Sequence, residues 1–116
     1  MTAVEVLTPP PKLVRDEFDN RDHYEIVDGH RVELPPMSAE STGIAADLAL
    51  ALGTFGAQNR IGKAYTEMLI TLPLDEERNR RPDVIFVSFE RWPRNVRRPD
   101  TNAWAVLPEL CVEVVS

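Results

Sequence analysis

The chain has 116 residues, of which 43% are hydrophobic and 28% are charged, and it has one cysteine. A chain of this length buries roughly two thirds of the surface that its unfolded form exposes, enough for one core without disulfide or zinc support. No stretch approaches the ~20 apolar residues of a membrane helix, and the N-terminus lacks the basic and apolar regions of a signal peptide. We therefore expect a soluble, cytoplasmic protein.

The net charge of −6 argues against a nonspecific nucleic-acid coat, which is usually basic. Positive charge is nevertheless concentrated between Arg78 and Arg98, which we call the arginine-rich segment. It holds seven arginines and only two acids, Asp83 and Glu90. With Trp92 it could contact a DNA backbone and stack on a base, or it could be a solvated loop that balances the acids at 75–77. The composition leaves both interpretations open.

The N-terminal part of the chain is predicted to be an extended arm, because residues 1–22 carry three consecutive prolines and then mixed charge. The predicted domain, residues 23–116, opens with strands over 24–27 and 30–34. Between them lies Asp28-Gly29, a pair that accepts the positive φ angles of a type I′ turn.

A helix is predicted after Ser38, a plausible N-cap, because large apolar residues then recur at helical spacing. We expect these residues to face the core: Ile44, Leu48, Leu52 and Phe55.

Three strands are predicted after the helix. Residues 63–72 alternate with period two, residues 83–88 are apolar on both faces as in a central strand, and residues 110–115 form the last strand, with Cys111 buried in it. The order predicts an α/β fold, with a mixed β-sheet, an N-terminal hairpin and a packed amphipathic helix.

Two carboxylates lie where carboxylates are costly. Asp83 opens the predicted central strand, and Glu113 is embedded in the apolar last strand. A buried carboxylate must be protonated, paired or bound to a cation. If the two strands are adjacent, both side chains can converge on one face and form the oxygen-rich site that Mg²⁺ prefers. Alternatively, Glu113 points outward from an edge strand, and Asp83 is paired with Arg80 or Arg81.

Glu67 is a third candidate, because its strand is expected to pair with the strand of Asp83. A solvated strand residue would show the same pattern of side-chain alternation.

Several segments together resemble a known family. They are Tyr24 to Pro36, Ser38-Ala-Glu40, Arg81-Pro-Asp-Val-Ile-Phe-Val-Ser88 and Pro108 to Ser116. The sequence is similar to a bacterial family of putative restriction endonucleases, common in cyanobacteria and formerly a domain of unknown function, in the PD-(D/E)XK nuclease superfamily. The resemblance covers residues 24–116.

In the nuclease hypothesis Glu67 supports catalysis, and the resemblance implies that Asp83 and Glu113 are metal ligands. It further implies that bound Mg²⁺, or Mn²⁺, activates water for hydrolysis of a DNA phosphodiester. A second Arg-Pro-Asp sequence, Arg98 to Asp100, leads into a polar loop and is interpreted as a decoy.

The chain departs from the family pattern at the catalytic lysine. The superfamily lysine would fall at position 115, which is valine, and the family usually displaces it into a following helix that residues up to Ser116 do not include. The only lysines are Lys12 and Lys63, and neither matches the expected position. The resemblance therefore implies a domain truncated at its C-terminus that would bind Mg²⁺ better than it cleaves DNA.

Two functions remain open from the sequence. The first is a Mg²⁺-dependent DNA endonuclease, and the second is a non-catalytic nuclease-fold module for binding or oligomerisation. Because a truncated domain leaves apolar surface and a strand edge uncovered, we expect a homodimer or a higher homo-oligomer in either case.

Overall fold

A computed structural model describes residues 6–7, 23–72 and 78–115 of the chain. This part contains one helix and eight strands, all paired antiparallel. The helix α1 spans Ala39–Asn59, and the strands are β1 (Val6–Leu7), β2 (Tyr24–Val27), β3 (His30–Glu33), β4 (Gly62–Thr66), β5 (Ile70–Thr71), β6 (Asn79–Arg80), β7 (Val84–Ser88) and β8 (Leu110–Val112). The predicted α/β class with an N-terminal hairpin and a packed helix is confirmed.

The strands form two sheets. The five-stranded sheet has the order β1-β3-β2-β6-β5, and the three-stranded sheet has the order β4-β7-β8. The predicted hairpin is β2 and β3, and its turn has positive φ at Asp28 (52°) and Gly29 (80°), as a type I′ turn requires. Of the predicted arm, only Val6–Leu7 lie among the described residues, and they pair with β3. The acids at 75–77 lie outside the described residues.

Helix α1 begins and ends at identifiable caps. The Ser38 side chain accepts a hydrogen bond from the Ser41 backbone N–H, as predicted for an N-cap. At the other end, Arg60 has a left-handed backbone, with φ of 58°, and its N–H donates to carbonyl oxygens of the last turn. The next N–H, of Ile61, donates to the carbonyl of Gly56.

The face that α1 buries is not the predicted one. Ile44 and Phe55 are 43% and 54% exposed, and Leu48 is also exposed. The buried residues of the helix are small: Ser41, Ala45 and Gly56. A Cβ atom at Gly56 would lie 2.4 Å from the backbone oxygen of Gly62, so the helix approaches β4 more closely than larger side chains would permit. The pattern of large apolar residues therefore marks an exposed face beside the buried one.

The strand predicted over 63–72 is broken. It splits into β4 and β5 at Glu67, whose φ of 52° is left-handed and unusual for a residue other than glycine. Because of this break, β4 and β5 belong to different sheets, and the predicted two continuous faces do not extend past Thr66.

The three-stranded sheet lies between two layers. Helix α1 packs on β4 and β7 on one face. The opposite face carries the core cluster of Ile70, Ile85, Val87, Trp104 and Val106. The predicted central strand is confirmed, since the apolar side chains of β7 are buried on both faces. Cys111 is exposed, contrary to the prediction, because β8 is an edge strand. Within the described residues, no helix is suited to spanning a bilayer.

Candidate active site

An open cleft of about 600 Å³ lies where β2, β7 and β8 approach one another, and we call it the acidic cleft. Four carboxylates line it, against two guanidinium groups. The carboxylates are those of Glu25, Glu67, Asp83 and Glu113, and the guanidinium groups are those of Arg80 and Arg81. The three residues predicted as site residues therefore lie in one cleft.

Asp83 and Glu113 are brought together by the pairing of β7 with β8. Val84 is opposite Val112 in this antiparallel pair, so the next pair outward is Asp83 opposite Glu113. Side chains directly opposite each other on neighbouring strands have Cβ atoms about 5 Å apart on the same face. The backbone N–H of Val114 also donates to Oδ2 of Asp83 over 2.6 Å. The adjacency assumed from the sequence is thus present.

Asp83 is not neutralised in the way that the alternative interpretation required. Among the described residues it forms no ion pair with an arginine, and Arg80 pairs with Glu25 instead, over 3.3 Å between Nη1 and Oε1. Oδ2 of Asp83 accepts a hydrogen bond from the backbone N–H of Val114, which carries no charge. The negative charge of Asp83 therefore remains directed into the cleft.

Glu113 is exposed just after the edge strand β8, as the alternative interpretation expected, and it is not embedded in an apolar strand. Its surroundings nevertheless disfavour its charged form. Partial desolvation raises the pKa of its carboxyl group above the ordinary value, and the nearby charges of Asp83 and Glu25 raise it further. Arg80 opposes this shift only in part. Two carboxylates that repel each other across neighbouring strands are stabilised by a divalent cation between them, so this pair fits a hard metal ion. No group of three or more potential ligands with metal-binding geometry occurs among the described residues.

Glu67 lies at the break between β4 and β5 and lines the acidic cleft. Its backbone N–H donates to the carbonyl of Asp83 over 3.1 Å, and its own carbonyl accepts from Nη1 of Arg81 over 2.8 Å. These two contacts hold the left-handed backbone of Glu67 beside the acidic pair, and bulges of this kind often redirect side chains at functional sites. The carboxylate of Glu67 lies 3.5 Å from Nε2 of His23.

Glu25 is a cleft residue that the sequence reasoning missed. It lies on β2 between two buried residues, Tyr24 and Ile26, and its side chain is only 14% exposed. Its carboxylate accepts from Arg80 and from the backbone N–H of Arg81. Strand alternation alone assigns Glu25 to the outer face of the hairpin, so the only sequence signal was an acid beside two buried apolar residues.

Arg81 donates hydrogen bonds to backbone atoms on two sides of the acidic cleft. Its side chain is buried, and burial lowers the pKa of the guanidinium group, while the charges of Glu67 and Glu25 act in the opposite direction. It donates to the carbonyl oxygens of Tyr24 on β2 and of Glu67 at the break between β4 and β5. Arg81 therefore links the hairpin strand β2 to the backbone that carries Glu67.

No lysine lines the acidic cleft within the described part of the chain. Lys63 lies toward the other end of β4, with its Nζ 5.6 Å from the ring centre of Tyr65. Val115 is 89% exposed. Asp100, from the second Arg-Pro-Asp sequence, is exposed in a loop and does not line the cleft, in agreement with its interpretation as a decoy.

Comparison with known proteins gives the family and the fold. A model of the Uma2 family, described as "Putative restriction endonuclease", matches residues 10–116. A crystal structure of a putative nuclease belonging to DUF820 from Anabaena variabilis superposes with a TM-score of 0.67 at 19% sequence identity. The match covers 80% of this chain and 50% of that one, so the chain spans about half of the length of this neighbour. No curated protein matches the chain.

Proposed function

We propose that this chain, which belongs to the Uma2 family, holds the metal site of a Mg²⁺-dependent DNA endonuclease through Asp83 and Glu113. The observation that carries the proposal is the meeting of these two carboxylates on neighbouring strands, with the pKa of Glu113 raised. Mn²⁺ would be an alternative ion, since it also prefers oxygen ligands. The substrate and the cytoplasmic location are part of the proposal.

Each cleft residue has a distinct role in this mechanism. A bound Mg²⁺ supplies Lewis-acid chemistry that activates water and stabilises charge on a phosphate. Asp83 and Glu113 would hold the ion, and the Val114 N–H orients the Asp83 carboxylate. Glu67 would accept a proton or support the ion's water shell from the neighbouring strand end. Arg80 and Arg81 would attract the phosphate, although Glu25 limits the net charge that they offer.

The rate of the proposed endonuclease depends on a further acid–base or electrostatic group at the cleft. A positioned acid–base or electrostatic group typically contributes ~10²-fold or more to a rate, and no described lysine lines the cleft. The second candidate function is therefore a non-catalytic module that keeps the nuclease fold for binding. It is favoured by the pairing of Glu67 with His23, which occupies one of the three acids.

Calorimetric titration with Mg²⁺ and Mn²⁺ tests the metal site. We expect Asp83→Ala and Glu113→Ala each to abolish the binding heat. Glu90→Ala removes an exposed acid that lies outside the cleft, so this control should titrate as the wild type does. Equal heats for the wild type and the two cleft variants would contradict the shared site.

A plasmid-nicking assay with Mn²⁺ separates the two functions. Nicking that increases with protein concentration and disappears in Asp83→Ala supports the enzyme. Metal binding without nicking supports the binding module. Nicking that persists in Asp83→Ala comes from a contaminant and would remove the support for the enzyme.

We also propose that the chain forms a homodimer or a higher homo-oligomer through the exposed apolar face of α1. Ile44, Leu48 and Phe55 lie on this face, and Leu110 is exposed on β8. Contiguous apolar surface of this kind commonly marks an interface. A second copy offers the same uncharged side chains, as an isologous contact requires. Light scattering at micromolar concentration tests this, and a monomer there would contradict it.

A further inference from the structure

A second cleft, of about 450 Å³, lies at the opposite end of the three-stranded sheet, and we call it the basic pocket. It is lined where β4 pairs with the last residues of β7 and where the chain continues into Phe89. Four cationic side chains line it: Arg60, Lys63, Arg94 and Arg98. None of the described residues that line it is an aspartate or a glutamate.

The cations that line the basic pocket differ from three other arginines of the arginine-rich segment in whether they pair with an acid. Arg78, Arg80 and Arg91 form ion pairs with Asp28, Glu25 and Glu109, at 2.7, 3.3 and 3.1 Å. The four cations that line the pocket form no ion pair with a described carboxylate. In a chain of net charge −6, four cations without acidic partners around one pocket leave it ready for an anion.

Aromatic rings hold these cations in place. The guanidinium carbon of Arg94 lies 5.2 Å from the ring centre of Phe89, and that of Arg98 lies 5.6 Å from the ring centre of Tyr65. Arg98 also donates to the Tyr65 hydroxyl over 3.2 Å. Cation–π contacts of this kind fix a guanidinium group without neutralising its charge. The rings therefore restrain Arg94 and Arg98 while both remain charged.

The same pocket offers an aromatic surface for a planar group. Trp92 lines it, packs in a T-shaped arrangement against Trp104 at 5.2 Å between ring centres, and donates its indole N–H to the carbonyl of Val96. These two contacts hold the indole in place. Phe89 lines the pocket as well. Base–aromatic stacking and phosphate–cation contacts are the two elements of sequence-tolerant recognition of single-stranded nucleic acid.

We propose that the basic pocket binds one nucleotide unit, with its phosphate among the four cations and its base against Trp92 or Phe89. The volume lies within the range of ordinary small-ligand sites. The site is separate from the acidic cleft, because the two clefts share no lining residue. The proposal does not depend on metal binding or on catalysis. The nucleotide can be free or part of a single strand, since both present the same phosphate and base.

Fluorescence anisotropy with a labelled oligothymidylate of about ten nucleotides, in EDTA and without divalent metal, tests the proposal. We expect Arg94→Glu to weaken binding about tenfold and Arg98→Gln about threefold. Each should make the salt dependence shallower by about 0.7 in the slope of log K against log salt, for one lost phosphate contact. Arg97→Glu is the matched control, because Arg97 is exposed in the same loop but does not line the pocket.

Competition with unlabelled dTMP and with inorganic phosphate separates the sources. Displacement by dTMP supports a site for free nucleotides, and displacement only by the oligonucleotide supports a site for a strand. Inorganic phosphate that competes as well as dTMP would overturn the nucleotide assignment in favour of a simple anion site.

Two further outcomes would overturn the proposal. One is equal weakening by Arg97→Glu and Arg94→Glu, because only overall charge would then matter. The other is an absence of binding by the folded wild type at low salt. Glu90→Ala removes an exposed acid that lines neither cleft and should bind the oligonucleotide as the wild type does. Because the assay contains EDTA and no divalent metal, loss of the metal site and loss of the nucleotide site are distinguishable. Circular dichroism verifies that each variant is folded, and Arg98→Gln keeps the test available if Arg94→Glu does not fold.

Discussion

Each end of the three-stranded sheet has a carboxylate beside it, and the surroundings shift the pKa values of these two groups in opposite directions. At the acidic end, Asp83 faces Glu113, and repulsion adds to desolvation in raising the pKa of Glu113. At the other end, Glu109 is also partly desolvated, but hydrogen bonds from Ser88 and the charge of Arg91 hold its pKa below the ordinary value. The fold thus stabilises the charged form of Glu109 through hydrogen bonds and an ion pair, and it disfavours the charged form of Glu113.

Helix α1 packs on β4 of the three-stranded sheet. Disrupting this contact should give the largest loss of stability. In Gly56→Ala the new Cβ would meet the Gly62 backbone at 2.4 Å and the Phe86 ring at 2.8 Å. We expect a loss of about 3 kcal/mol in the free energy of unfolding, since backbone cannot yield as a side chain can. Urea denaturation measures this loss.

A matched substitution in the same helix should have the opposite sign. A Cβ atom at Gly43 would have nothing within 4 Å. Gly43→Ala should therefore stabilise the chain by about 0.5–1 kcal/mol through helix propensity alone. Destabilisation by both substitutions would mean that the close approach at Gly56 is not the cause.

The two ends should respond independently to Asp83→Ala. We expect a loss of metal affinity of about 100-fold or more at the acidic end, because one of the two acids that would hold the ion is removed. The thermal midpoint in EDTA should change little by comparison. If the midpoint falls strongly without metal, Asp83 is a structural residue that orders β8 through Val114.

Glu109→Gln tests the stabilised carboxylate through the pH dependence of the free energy of unfolding. The native pKa of Glu109 lies below the unfolded value, so its charged form contributes stability above about pH 4.5, and the contribution is lost as pH falls through the native pKa. We expect a loss of roughly 1 kcal/mol at pH 7, after allowance for its partial exposure. The loss should be smaller at pH 3 than at pH 7, which thermal unfolding at both pH values would reveal.

Glu113→Gln should give the smallest effect, and one of opposite sign. The native pKa of Glu113 is raised, so its ionisation destabilises the fold as pH rises from the unfolded pKa through the native one. In EDTA at pH 7 the variant should melt about 1–3 °C higher than the wild type, and at pH 3 equally. A lower midpoint at pH 7 would show that the charge of Glu113 is already compensated.

The sequence predicted those elements that depend on local chemistry. Asp28-Gly29 requires a tight turn, Ser38 caps a helix and the apolar run after Asp83 requires burial on both faces, and all three are present. The pair of Asp83 and Glu113 was also predictable, because each acid lay beside a strong strand signal.

The parts that the sequence did not predict depend on long-range contacts. The break at Glu67 requires a left-handed glutamate, and it is held by Arg81 and by the Asp83 carbonyl. The buried face of α1 is set by the approach of two glycines, Gly56 and Gly62, rather than by the size of its apolar residues. Glu25 joins the cleft from another sheet, which strand alternation cannot reveal.

The pairing of β7 with β8 also bears on the order in which the molecule assembles. Helix α1 and β4 are neighbours in the chain, so their packing needs only a short loop closure, whereas the acidic pair joins residues 30 positions apart in sequence through an edge strand. Contacts between distant residues form late because the cost of closing the loop precedes their gain. During synthesis, Asp83 would leave the ribosome well before Glu113 and Val114. A nascent or partly folded chain would therefore lack the pairing of Asp83 with Glu113 until most of the core is in place.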